Sequence, residues 1–82
     1  MSYTNRLIDY AKRLEQSLSI DRDAATHKYK VYINLVGYKD KYVRMSVWGM
    51  GFTIEDACGD YLRKVCGGKL THYIHNTEVD VL

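Results

Sequence analysis

The 82 residues contain no proline and no long apolar run. No proline-rich linker, repeat or low-complexity tract divides the chain, so one domain, residues 1–82, is expected. No stretch approaches the roughly 20 apolar residues that span a bilayer, so no membrane partner is expected. The first ten residues carry Arg6 and Asp9 and no apolar core of the signal-peptide kind, which makes the cytoplasm the expected setting. Cysteine is scarce. Cys58 and Cys66 stand eight positions apart on one predicted helix, roughly 12 Å along its axis, too far to form a disulfide or to share one ion. His72 and His75, placed on a strand, are expected to point to opposite faces. No metal site and no cofactor are therefore expected.

A strong charge of one sign is also lacking. The formal net charge is +2, which permits an anionic partner without demanding one. Phenylalanine occurs once, against eight tyrosines and one tryptophan. Tyrosine joins a large apolar body to a polar tip, and so suits contact surfaces as well as core edges.

The patterning predicts an α+β fold. Tyr3, Leu7, Tyr10, Ala11, Leu14 and Leu18 recur at spacings of three and four, giving a helix over residues 3–18 capped by Ser2 or Thr4. Asp9 and Arg13 add an i,i+4 pair worth about 0.3–0.5 kcal/mol. Residues 19–26, with Asp21, Arg22 and Asp23, read as a loop. Alternation over 27–36 and again over 41–49, around a turn at Gly37-Tyr38-Lys39-Asp40, predicts a β-hairpin. Thr53 opens a second helix, with Phe52 and Ala57 placed as a hydrophobic staple, and Gly67-Gly68 ends it. A third strand begins at Leu70, and a short fourth lies beyond a break at Asn76-Thr77. The order α-β-β-α-β, with the further short strand, packs most simply as a small antiparallel sheet with two helices on one face.

The most informative feature is the sheet face left over. If Val43, Met45 and Val47 meet the helices, the outer face shows Lys28, Lys30, Tyr32 and Asn34 beside Tyr42, Arg44, Ser46 and Trp48. Cations interleaved with aromatics suit a protein contact, a second copy of the chain, or stacked bases with their phosphates. Cross-strand aromatic pairing with solvating lysines is the purely structural alternative. Glu55, Asp56 and Asp60 form an acidic patch at the start of the second helix, a further candidate for a basic partner or a solvated face. Gly49-Met50-Gly51 before a helix lacks the lysine and the third glycine of a phosphate loop. No serine, cysteine and histidine set suggests a nucleophile with its base, and Cys58 lies on the apolar stripe. A non-enzymatic protein is expected.

The passage 46–57, Ser-Val-Trp-Gly-Met-Gly-Phe-Thr-Ile-Glu-Asp-Ala, resembles the strand, Gly-x-x-Thr-x-Glu-Asp/Glu-Ala and helix passage of small phage and prophage proteins, with one residue rather than two between Gly51 and Thr53. It is also similar to that of HicB-type antitoxins, although those begin with strands and this chain with a helix. The resemblance spans about a quarter of the chain. It implies a short phage-type binder, of the kind that blocks host defence as anti-CRISPR proteins do, working in the host cytoplasm on a protein or nucleoprotein target. A single-stranded RNA- or DNA-binding module is the alternative, and homodimerisation through the sheet face or an edge strand is compatible with either.

Overall fold

The computed structural model describes residues 2–41 and 43–81. Helix α1 (Tyr3–Arg13) starts at Ser2, whose hydroxyl accepts a hydrogen bond from the Asn5 amide at 3.1 Å. It stops five residues before Leu18, the last apolar position of its stripe. The Gln16 amide donates to Ala11 and the Glu15 amide to Lys12, while Glu15 takes a left-handed φ of 57°. This is a Schellman stop with glutamate where glycine or asparagine usually stands. Leu14 remains in the core, and Leu18 opens a strand instead.

The segment expected as a loop is therefore largely strand. β1 (Leu18–Asp23) pairs antiparallel with β2 (Lys28–Ile33) through a turn at residues 24–27, with His27 at φ 59°. Its charges, Asp21, Arg22 and Asp23, are the usual protection of an open sheet edge, and they hide a strand from pattern reading. The expected turn at residues 37–40 is strand as well. β3 (Val36–Asp40) follows β2 after only Asn34 and Leu35, and the chain leaves one sheet for another there, with Leu35 at φ 59°. β4 (Val43–Met45) pairs with β3, and β5 (Gly49–Gly51) returns to β2. The expected hairpin between residues 27–36 and 41–49 is thus divided. α2 (Ile54–Val65), β6 (Lys69–His72) and β7 (Glu78–Asp80) complete the chain.

The α+β class stands, with two antiparallel sheets ordered β1-β2-β5 and β4-β3-β6-β7. α2 packs on β5 and β2, and α1 packs on α2 and touches β1. Leu7, Leu14, Val31, Ile33, Tyr61 and Val65 form the centre of one core, to which the second sheet contributes Val36 and Leu70. In β2 the expected parity holds: Val31 and Ile33 are buried, with Lys28, Lys30 and Tyr32 half-buried on the other face. In β4 it does not. Val43 and Met45 are exposed like Arg44, because this short edge strand makes its main contacts with β3 rather than with a helix, and only Val47 packs against the core.

β5 lies against α2 backbone to backbone. A Cβ at Gly49 would meet the Ala57 carbonyl oxygen, and one at Gly51 would stand 2.6 Å from the Ala57 amide. Neither obstacle is a movable side-chain tip. Gly49→Ala is expected to lower the unfolding free energy by about 1–3 kcal/mol or more, read from a shift in the urea midpoint; an unchanged midpoint would show that β5 can withdraw from α2. Leu35 points the other way. Half of it is exposed and its φ is left-handed, so Leu35→Asn is expected to raise stability by about 0.5–1 kcal/mol in the same assay. A loss of stability would mean that its exposed side chain contributes more than its backbone strain costs.

Candidate functional site

Parity within β5 decides which side chains the site receives. With Gly49 and Gly51 turned to α2, the flanking Trp48 and Phe52 and the central Met50 fall on the opposite side, and Met50 stands across from Lys30. Lys28 and Lys30 occupy that face of β2. Cross-strand register also sets them opposite Asp23 and Asp21 of β1. Neither ammonium group is within ion-pair distance of those carboxylates. Lys30 Nζ lies 5.0 Å from the Trp48 ring and 5.7 Å from that of Tyr32, and Lys28 Nζ lies 5.3 Å from that of Phe52. These distances are within cation–π range.

The second sheet extends the same pattern. Arg44 sits 5.7 Å from the Tyr73 ring and bonds the Asn76 side-chain oxygen at 3.4 Å. The phenol end of Tyr73 rests on bare backbone at Gly37, where a Cβ would collide with its hydroxyl. That hydroxyl lies 3.5 Å from Ser46 Oγ. Between the sheets is a cavity of about 300 Å³ bounded by Lys30, Tyr32, Leu35, Ser46, Trp48 and Tyr73. A shallower hollow of about 250 Å³ continues past Trp48 to Tyr38, Met45 and Lys64. The result is one track: Phe52 with Lys28, then Lys30 with Trp48 and Tyr32, the cavity, then Tyr73 with Arg44. Among the described residues no carboxylate approaches these three cations within ion-pair distance. A larger hollow along α1 is bounded by Asn5, Arg6 and Tyr10 with Asp9 and Arg13, which pair with each other at 2.9 Å.

Of the residues singled out from the sequence, the structure brings together Lys28, Lys30, Tyr32, Trp48 and Arg44. Tyr42 lies outside the described residues. Phe52 and Tyr73 were missed as members of the site. Phe52 was expected to staple α2 but is 66% exposed, and Tyr73 was expected inside a strand that ends one residue earlier. The period-two alternation through Trp48, Met50 and Phe52 was the available signal for the first. For Tyr73 the sequence held none, because its position depends on the pairing of two strands distant in the chain.

The acidic residues fall elsewhere and work inside the fold. Glu55 Oε2 accepts from the Tyr3 amide at 2.7 Å, and Oε1 accepts from the Thr4 amide at 3.0 Å and its hydroxyl at 2.8 Å. It caps α1 from another helix. The Thr4 amide foremost, then that of Tyr3, holds its carboxyl below the ordinary range. Partial burial raises the Asp60 carboxyl, but the Met50 amide at 2.9 Å, with Lys64 and Arg63, outweighs that and leaves it lowered. Asp60 thereby closes the free edge of β5, helped by Lys64, whose ammonium also reaches the Trp48 carbonyl at 3.0 Å. Asp56 stays exposed, its amide bound by the Thr53 hydroxyl.

The histidines also depart from expectation. β6 ends at His72, and the turn after it brings the His75 ring to 4.7 Å from that of His72 rather than to the opposite face. His72 is buried and its Nδ1 accepts from the Ile74 and His75 amides. Nε2 then carries the proton, and the Gln16 side-chain amide, whose nitrogen is placed 2.7 Å away, accepts from it once that amide is turned so that its oxygen faces the ring. Both ring nitrogens are committed. No group of three potential metal ligands forms among the described residues. Burial pushes the Cys58 thiol and the Tyr61 phenol up, away from nucleophilic use.

No protein-family model, curated protein or solved structure matches the chain.

A carboxyl with a depressed folded pKa contributes stability that is complete above its unfolded value, about 4.3 for glutamate, and is lost as pH falls through the folded one. Wild type is therefore expected to exceed Glu55→Gln in stability by its full margin near pH 7, and the margin to shrink below about pH 4. Denaturant midpoints across that range measure it. A margin constant with pH would remove the capping role of the charge.

Proposed function

We propose that this chain is a non-enzymatic binding protein and that the aromatic and cationic track is its contact surface, directed at a protein or nucleoprotein target. One observation carries the reading. Three cations and the rings of Trp48, Phe52 and Tyr73 share one exposed face, although burying the rings or pairing the cations would suit a monomer better. Trp, Tyr and Arg side chains of this kind dominate binding hot spots. The chemistry of the cavity supports binding over reaction. Its single charged group is the Lys30 ammonium, and its hydroxyls, on Ser46, Tyr32 and Tyr73, have no neighbouring base to activate them.

The passage that resembles small phage proteins supplies Trp48 and Phe52 to this face, and that supports an inhibitory role of the host-defence kind. No helix of the described residues is long and apolar enough to cross a membrane. The acidic group at α2 is a weaker docking candidate, since Glu55 and Asp60 already hold α1 and β5.

Affinity capture from cell extract with tagged protein, run with and without nuclease, tests the reading. A captured partner is expected to be lost with the Arg44→Ala/Trp48→Ala double variant and retained with Asp56→Ala. Each variant is first checked for a wild-type melting curve. Capture indifferent to the double variant would place the contact surface elsewhere.

A further inference from the structure

We infer that the track takes a single strand of nucleic acid, with phosphates at Lys28, Lys30 and Arg44 and unpaired bases on Trp48, Phe52 and Tyr73. This rests on the reading of the same face as the contact surface and names the chemistry of what covers it.

Charge complementarity is the first ground. Among the described residues, each of the three cations sits over a ring and none has a carboxylate within ion-pair distance. Lys28 and Lys30 form no ion pair even with Asp23 and Asp21, which stand opposite them in register. Those acids bound the track on the β1 side, and the ammonium groups point toward the rings. A cation over one face of an exposed ring offers a nucleotide adjacent contacts, its phosphate at the cation and its base on the ring's other face.

Exposed rings are the second ground. Trp48, Phe52 and Tyr73 all present apolar area to solvent beside the cations. Bases of a single strand are free to stack on such side chains, whereas those inside a paired helix are stacked on one another. The cavity between the sheets, about 300 Å³ with Trp48 and Tyr73 on its walls, has room for one such base, with the Ser46 and Tyr73 hydroxyls at hand for its polar edge.

Trp48 is the only tryptophan, so its fluorescence reports on the track directly. Titration with a 15-nucleotide oligo(dT) or oligo(U) at low salt is expected to quench it. With three phosphates engaged, log affinity should fall against log salt with a slope of about −2, and Lys28→Gln or Arg44→Gln should each make it shallower by about 0.7. Phe52→Ala, at an exposed position that spares the fold, should weaken binding roughly tenfold to a hundredfold. A duplex of equal length and a polyglutamate of equal charge should bind far less tightly. The absence of a Trp48 response to either oligonucleotide at low salt would overturn the inference. So would equal binding of duplex or polyglutamate, since charge alone would then explain it. In either case, nuclease-resistant capture that still requires Arg44 and Trp48 would leave the contact surface standing with a protein as its occupant.

Discussion

The approach of β5 to α2 is the constraint on which the rest of the structure depends. Two glycines let a strand lie on a helix with no side chains between them, their missing Cβ atoms taking the places where the Ala57 and Tyr61 backbone now sit. Alternation along a strand is rigid. Once Gly49 and Gly51 face the helix, Trp48, Met50 and Phe52 must face away from it, and register with β2 sets them beside Lys30 and Lys28. The packing requirement inside therefore determines the chemistry outside. What looks in sequence like a truncated phosphate loop is a closely packed strand that presents two rings.

A three-residue strand pressed on a helix still has a free edge, and the fold closes it with charge. Asp60 binds the Met50 amide and Lys64 binds both Asp60 and the Trp48 carbonyl, so residues one turn apart on α2 satisfy polar groups of β5 and of the residue that leads into it. Glu55, on the same helix, performs the corresponding service for the start of α1. α2 is thus the hub. Its buried face fills the core, and its carboxylates fix the two elements on either side of it.

Much of this was legible in the residues, and the failures share a cause. Both helices, the inward parity of β2, the glycine stop of α2 and the final strands follow from periodicity and capping. The errors cluster where a residue other than glycine adopts the left-handed conformation: Glu15 ending α1, His27 in the β1–β2 turn, Leu35 between the sheets and Lys41 after β3. None of these announces a turn, whereas Gly37, which does, lies within a strand because Tyr73 needs bare backbone there. Reading Gly37 as the turn moved the break two residues along the chain and merged two sheets into one. The outer face survived that error, since Lys28, Lys30, Tyr32 and Trp48 obey the alternation of β2 and β5 alone. Arg44 reached the same face by another route, from the edge strand of the other sheet.

The distribution of charge gives the last step. A formal net charge of +2 suggests little about partners, yet the signs are not mixed at random. Glu55, Asp60 and Glu78 have their carboxyls lowered by donors within the fold: backbone amides for the first, a backbone amide and α2 cations for the second, Lys39 for the third. These acids are consumed in holding elements together. Each of the three cations of the track sits over a ring, and none has a carboxylate within ion-pair distance among the described residues, although Asp21 and Asp23 stand opposite Lys30 and Lys28 in register. A surface on which internal ion pairing is avoided remains able to attract an anion from outside, and the local arrangement of charge governs this more than the net sum over the chain.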